Sequence, residues 1–486
     1  MGYWKHQKEG INFVTDKDGS LLWWGMGSGK SYTSIGISRD QQAKRILISC
    51  PKSVVPTWIK EFAKHTNNEF IVLAPTKGSV LKKAKEIEKS LNYKQYNKPI
   101  VVIVNYESIW RPGLGHTYAP LAPVKKGFEH IKRKRKIIDI GLIRKIDWDI
   151  IFVDECQKIK SAGAKVSNFF KLLNKNSKKR VALSGTPTPC SPLDIYGIYR
   201  FLDPSIFGTS FQRFKMRYCV MGGFEMRQVK KYINQADLNQ KVYSIADRVE
   251  TEDVIELPEF SDFYIECELS PKARKAYDEF YKEAIIEFSS GTELTASNVL
   301  VKHLRLSQIA SGIVKDDEGI EHIIDKSKLE ALEDLLLGID EPCVIFTRFR
   351  SEVTQIREMI EKFEKKGERK RVVCQIASQI DERDKFESGE AEICIVNIQS
   401  GGVGLNELVR ARYGFYYSTG YSSGDYEQSK ARIRRHGSDL TKKVLYYHII
   451  AKNTMDEVIR DAIKRKIDII QTVLQDFSKN ILKKAA

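Results

Sequence analysis

The sequence predicts an α/β protein made of two parallel-sheet lobes in tandem, with a mainly helical insertion between them. Short, wholly apolar runs recur along the chain, each followed by turn residues and then a longer amphipathic stretch. Such runs fit strands that helices cover on both faces. Between residues 206 and 325 the runs lapse into a polar, mostly helix-like segment, and then they resume. At ~150 residues per domain, a chain of 486 residues accommodates this plan.

In the first lobe, residues 1–205, the candidate strands are LLWW from Leu21, RILISC from Arg45, FIVLA from Phe70, IVVIVNY from Ile100, DIIFVD from Asp149 and RVALSG from Arg180. Helix-like stretches such as Lys30 to Asp40 and Val80 to Ser90 lie between them. Residues 111–136 begin Gly/Pro-rich and end in KKGFEHIKRKRK, which reads as an inserted basic loop. In the connector, residues 206–325, SPKARKAYDEFYKEAIIEF is the clearest amphipathic helix. The second lobe, residues 326–486, carries PCVIFTRF, RVVCQIA, EICIVNI, YGFYYS and KVLYYHII, and closes on a helix from Thr454 onward.

Charge and cysteine usage narrow the function classes. Lys and Arg number 80 against 63 Asp and Glu, a net charge of +17 that suits a polyanionic partner or a lysine-rich surface. No run approaches the ~18 apolar residues of a membrane span, and MGYWKHQKEGINF has no apolar core like that of a signal peptide. The 8 cysteines lie far apart with no CxxC pair, against a zinc ribbon or a disulfide framework. The expectation is a cytosolic or nuclear protein, with neither membrane nor zinc.

Four motifs carry chemistry. WGMGSGKSY sits between a strand and a helix, where backbone amides and a helix N-terminus can cradle phosphates. Gly27 and Gly29 let the backbone approach, Lys30 reaches the β- and γ-phosphates, and the Ser31 hydroxyl ligates magnesium. A strict P-loop has Gly or Ala where this chain has Trp24, so a glycine-rich turn with a surface lysine also fits the motif alone. IIFVDECQ sharpens the choice. Asp154 and Glu155 end a buried strand, with Asp154 for magnesium and Glu155 for the attacking water. VALSGTPTP ends another strand in short hydroxyls, suited to relaying the state of the phosphate pocket or to turn chemistry. In QSKARIRRHG, Arg432 and Arg435 stand i,i+3 on one expected helical face, as γ-phosphate fingers or as part of a solvated basic helix.

The ordered set of motifs resembles the superfamily-two motor ATPases of the Swi/Snf group, from about Tyr3 to about Ile469. WKHQKEGINF resembles their opening Gln motif. GMGSGKS, CPKSVVPTWIKEF, NYES, DECQKIK, SGTPTPCSPLDIYGIYRFLDP, ETEDVIELP, ELSPKARKAYDEFY, SKLEALEDLL, VIFTRF, NIQSGGVGLN and QSKARIRRHG follow in family order. The resemblance implies two RecA-like lobes and hydrolysis of ATP with Mg2+. It places Gln7 at adenine, Gly27, Ser28, Gly29, Lys30, Ser31 and Gly404 in the nucleotide site, and duplex or branched DNA as a sequence-independent partner. Translocation, fork regression and branch migration are the outputs it implies, in DNA repair, recombination or replication. The compact layout resembles single-module phage and bacterial forms.

Four departures stand out: Gln157 where the family has His, Cys190 where Asn is common, Arg434 for the His between the arginines, and Ser438 for a terminal Gln. None removes a phosphate-handling group. By the same resemblance Lys52, Ser53, Asn105, Tyr106, Thr347 and Arg348 are candidate contacts to DNA phosphates. The run Lys132, Arg133, Lys134, Arg135 and Lys136 suits either a second duplex arm or a solvated loop. Tyr416, Tyr417 and Tyr421 read as packing rather than base-stacking platforms.

Overall fold

The computed structural model describes residues 2–91, 98–118, 137–189, 191–222, 228–289, 296–316, 318, 320–363, 367, 369–377, 380–398 and 408–467. Cys190, Gly404 and the basic run from Lys132 to Lys136 lie outside the described residues. The described chain divides into two compact units, one within Met1–Val254 and one within Ile255–Ile469.

The strands of the first unit are β1 (Gly19–Trp24), β2 (Arg45–Cys50), β3 (Ile71–Leu73), β4 (Ile100–Asn105), β5 (His116–Tyr118), β6 (Ile137–Ile140), β7 (Trp148–Asp154), β8 (Ser177–Ser184), β9 (Cys219–Gly222), β10 (Gln228–Tyr232) and β11 (Ala246–Val249). Seven form one sheet in the order β11-β1-β8-β7-β2-β4-β3, every neighbouring pair parallel. The apolar runs are central strands. All six residues of β1 are buried, as are Ile150 to Asp154 of β7, because helices cover both faces. Three helices matter for the site: α1 (Lys5–Thr15), α2 (Lys30–Asp40) and α3 (Val55–Thr66).

Parallel strands carry their carboxyl ends to one edge of the sheet, where ligands of open α/β sheets bind. That edge therefore gathers the loop after Trp24, the turn at Lys52, Asn105, the Asp154-Glu155 pair and Ser184, from five separate stretches of sequence.

The second unit contains β12 (Phe260–Cys267), β13 (Ile313–Lys315), β14 (Glu321–Ile323), β15 (Cys343–Thr347), β16 (Val373–Ala377), β17 (Ile380–Asp381), β18 (Ile393–Asn397), β19 (Tyr413–Tyr416) and β20 (Val444–Ala451). Its seven-stranded sheet runs β12-β20-β19-β15-β18-β16-β17, parallel except for the short antiparallel β17.

The segment 206–325, expected as a separate helical connector, divides differently. β11 pairs with β1 in the first sheet, and β12 pairs with β20 over eight residues in the second. Both are edge strands of mixed polarity, and β12 is half-buried to exposed along its length. The signature of a doubly covered strand is a continuous apolar run, so an edge strand does not show it. The amphipathic helix in this stretch spans Pro271–Ser289.

A buried ion pair ties the helix Ser327–Leu337 to the chain after β20. Lys328 Nζ lies 2.8 Å from Asp456 Oδ2, the two side chains only 2% and 8% exposed. The same oxygen accepts the Ala451 amide at 3.1 Å, and the ammonium lies over the Tyr417 ring. Removing one partner of such a pair leaves a buried charge uncompensated, so Lys328→Ala is expected to destabilise the second unit by about 3–5 kcal/mol. Urea denaturation measures this, and a loss below about 1 kcal/mol would show that water replaces the ammonium.

Candidate nucleotide site and relay

The phosphate-binding candidate is the turn between β1 and α2. Gly27 and Gly29 have φ of +82° and +81°, a left-handed region that favours glycine. Gly29 caps α2 and lies under the Gln7 amide, where a Cβ would stand 2.2 Å from Gln7 Nε2. The loop is held from above by α1. His6 Nε2 is 2.8 Å from the Ser28 carbonyl, Gln7 Nε2 donates to the same oxygen at 3.3 Å, and Gln7 Oε1 accepts the Trp4 amide at 2.9 Å. Lys30 Nζ donates to the carbonyls of Trp24 and Gly25, both at 2.9 Å, so the amine rests on the loop's own backbone.

Trp24 directs its side chain away from this loop. Its indole Nε1 donates to Asp247 Oδ2 of β11 at 2.8 Å, and its ring meets His6 edge-on at 5.1 Å. Gly10 of α1 lets the ring in, since a Cβ there would sit 2.3 Å from it. Only the backbone of residue 24 borders the phosphate turn, so the departure from the strict motif becomes a clamp between α1 and the edge strand.

Asp154 and Glu155 end β7. The Asp154 carboxylate is buried, and three donors surround the residue. Trp58 Nε1 of α3 donates to Oδ2 at 2.9 Å, the Glu155 amide donates to Oδ1 at 3.0 Å, and the Tyr106 hydroxyl donates to the main-chain oxygen at 2.6 Å. Burial and the adjacent Glu155 charge push the Asp154 carboxyl up to about 6. A divalent cation beside it would draw it down, and the donor set of Ser31 hydroxyl and Asp154 carboxylate fits Mg2+. That ion takes few protein oxygens and completes its shell from phosphates and water.

Glu155 has φ +52°, a left-handed conformation at a non-glycine residue, which turns its carboxylate away from the strand direction. From it runs a hydrogen-bonded relay. Gln157 Nε2 donates to Glu155 Oε2 at 2.7 Å, the Ser184 hydroxyl donates to Gln157 Oε1 at 2.8 Å, and the Thr186 amide donates to the Ser184 hydroxyl at 3.0 Å. The hydroxyls at the end of β8 are thus joined to the acid at the end of β7.

The model of the SNF2-related domain matches residues 6–312, more than half of the chain. The chain belongs to the SNF2-related family. It is 24% identical over 97% of its length to an uncharacterized ATP-dependent helicase of Mycoplasma genitalium, and covers 42% of that protein. It is 26% identical over 69% of its length to the putative ATP-dependent helicase/translocase YwqA of Bacillus subtilis, 37% of which it covers. The chain thus spans about two-fifths of these bacterial relatives. The p41 protein of Acyrthosiphon pisum secondary endosymbiont phage 1 is 22% identical, with 96% of each chain covered. Among solved structures, the Sulfolobus solfataricus SWI2/SNF2 ATPase core in complex with dsDNA aligns at TM-score 0.42 and 21% identity, over 95% of this chain and 90% of that one.

In the second unit of this SNF2-related chain, the arginines are arranged otherwise than expected. The helix Ser423–Ile433 stops before them, with Arg434 extended at φ −93° and ψ 90°. Arg432 is buried on the last turn, whereas Arg435 follows the helix, its amide donating to the Ser438 hydroxyl at 3.1 Å. They do not share one helical face. Tertiary contacts stop the helix: Arg434 Nε donates to the Pro258 carbonyl at 2.7 Å, its guanidinium over Phe260.

The nucleic-acid candidates separate into two groups. Lys52 is exposed and Ser53 half-buried on the turn Lys52–Val54, and Asn105 is half-buried with Nδ2 donating to Glu107 at 2.6 Å. Arg348 is half-buried, its amide bonded to Glu352 and Ser418. The side chains of Tyr106 and Thr347 are buried instead, the first bonded to Asp154 and the second to the Val396 carbonyl at 3.4 Å, which corrects their expected contact with phosphates. A strand-end position does not tell which way a side chain turns. Tyr416 and Tyr417 belong to the core, and Tyr421 is half-buried beside His303.

Trp58 was not singled out from the sequence, although it lies within CPKSVVPTWIKEF. Its indole donor fixes the rotamer of the proposed magnesium ligand. Trp58→Phe is expected to keep the ring packing yet raise the Mg2+ concentration for half-maximal nucleotide binding by about 3–10-fold, one hydrogen bond to a charged group being worth roughly 1.5–3 kcal/mol at most. Fluorescent-nucleotide titration against Mg2+ measures it, and an unchanged requirement would leave Trp58 a packing residue.

Proposed function

We propose that this chain is an ATP-dependent motor on double-stranded DNA, with translocation, fork regression or branch migration as its output. The observation that carries the reading is the relay from Glu155 through Gln157 and Ser184 to Thr186, beside a phosphate turn whose glycines, lysine and hydroxyl are all present. A binding protein needs the cradle; the relay suits a chain that must pass on the state of a reacting γ-phosphate. The names of relatives support it, among them an ATP-dependent helicase and, at 21% identity, a DNA repair and recombination protein RAD54-like of Drosophila pseudoobscura pseudoobscura.

In this mechanism Gly27, Ser28 and Gly29 give the triphosphate a backbone cradle, and Lys30 leaves its resting carbonyls for the β- and γ-phosphates. Ser31 and Asp154 would hold Mg2+, which would supply positive charge against the phosphates. Glu155 orients the attacking water. Gln157 keeps the Glu155 carboxylate in place by its amide hydrogen. Gln7 reads adenine, with Gly404 a further contact to nucleotide. Arg432 and Arg435 supply the positive charge that stabilises the transition state. Lys52, Ser53, Asn105 and Arg348 meet the DNA backbone, contacts without base readout and steeply dependent on salt.

ATP hydrolysis measured without nucleic acid, then with single-stranded, blunt duplex, forked and four-way DNA and with RNA, tests this reading. Duplex or branched DNA is expected to stimulate turnover strongly, and Glu155→Gln to abolish it. Tight DNA binding without stimulation would identify an ATP-gated clamp or the motor subunit of a larger complex with little activity alone, and stimulation by RNA alone would identify an RNA helicase. Gln157→Ala is expected to leave nucleotide affinity within about twofold while lowering DNA-stimulated kcat by 10-fold or more, on the order of 1.4 kcal/mol or above. Equal loss of basal and stimulated rates would show that Gln157 serves hydrolysis alone.

A further inference from the structure

Beyond the motif residues, one surface of the first unit is charged out of proportion to its size. It consists of the helix Phe211–Tyr218, the hairpin β9–β10 and the helix Gln235–Tyr243. Among its described residues, 211–222 and 228–241, six cations stand against one acid, Asp237. That acid is already spent: Arg217 grips it by two nitrogens at 3.0 Å, and Lys241 lies 3.4 Å away. Arg213, Lys215, Lys230 and Lys231 make no ion pair among the described residues.

The fold turns these cations outward. Phe214 and Tyr218 bury one side of the first helix, which leaves Arg213 and Arg217, one turn apart, on the open side with Met216, 67% exposed. In the hairpin, Cys219 and Tyr232 pair on the inner face, where the Tyr232 hydroxyl is 2.9 Å from the Ser191 hydroxyl. Val220 and Lys231 pair on the outer face, both exposed. Lys230 is the extra residue of a bulge, its side chain laid across Gly222, where a Cβ would stand 2.4 Å from Lys230 Cε. Glycine at 222 thereby gives the lysine its bed. Five unbalanced positive charges on so small a module repel one another unless a polyanion approaches, and they need no fixed geometry to receive a run of phosphates.

We infer that this module is a second contact surface for duplex DNA, gripping the phosphate backbone independently of the strand-end residues. The inference rests on the DNA reading proposed above. Its anchor at Ser191 lies seven residues beyond Ser184 of the relay, in the stretch of chain that follows β8.

The test uses the full chain with Arg213→Ala, Lys230→Ala and Lys231→Ala combined, three exposed positions outside the nucleotide site, with circular dichroism to verify folding. Fluorescence anisotropy reads affinity for a short duplex across a salt series without nucleotide. The variant is expected to bind about 3–10-fold more weakly at low salt, with a salt slope shallower by about one for each phosphate that is no longer neutralised. Its kcat at saturating DNA stays that of the unaltered chain. Unchanged affinity and slope would overturn this inference alone, whereas no DNA binding by the unaltered chain would overturn the motor reading with it. An equal loss of affinity for polyglutamate would mark a surface for any polyanion and overturn its assignment to DNA.

Discussion

The first unit is organised around a carboxylate that has to stay charged out of water. Asp154 ends a central strand with both neighbours paired, so it is buried before any ligand arrives. An unpaired ionised group there would neutralise itself, and burial does push its carboxyl up to about 6. The remedy is local and comes from three parts of the sequence. An indole from α3 takes one oxygen, the next backbone amide takes the other, and a buried tyrosine holds the carbonyl. Each donor fixes the element that supplies it: the indole and amide bonds favour the ionised carboxylate and hold α3, and the tyrosine bond to the carbonyl sets Asn105-Tyr106 against the end of β7.

The departures from the family pattern each have a local structural use. Trp24 leaves the phosphate turn to its backbone and puts its indole between α1 and Asp247. Arg434 caps a carbonyl and covers Phe260, and Ser438 closes the turn after the helix by donating to the Ile433 carbonyl at 2.6 Å. In each case the substituted side chain is used for packing or capping, while the groups assigned to phosphate remain.

The apolar runs were legible because central parallel strands must be apolar throughout. RILISC, IVVIVNY and DIIFVD read as β2, β4 and β7 within a residue or two. The edge strands β11 and β12 were not, since one open side lets polar residues in. The glycines and acids of the site were legible from spacing. The direction of Tyr106 and Thr347 was not, because periodicity marks a strand's end but not the rotamer beyond it. Nor was the end of the arginine helix, which is set by the contacts of Arg434 to Pro258 and Phe260 and by the Ser438 hydroxyl on the Ile433 carbonyl. The cations of 211–241 escaped notice for a different reason: they come from two segments that only a hairpin and a shared acid bring together.

The relay's polarity follows from what each partner can do. A carboxylate only accepts, so the Gln157 atom facing Glu155 must be the amide nitrogen. Its oxygen then faces Ser184, whose hydroxyl has a single hydrogen to give and receives the Thr186 amide in return. Every proton in the chain is thereby assigned by its neighbours. An amide offers a donor and an acceptor at once and keeps both at any pH, whereas an imidazole in its place would change charge within the physiological range. With glutamine, the link from Glu155 to the strand-end hydroxyls stays neutral and directional.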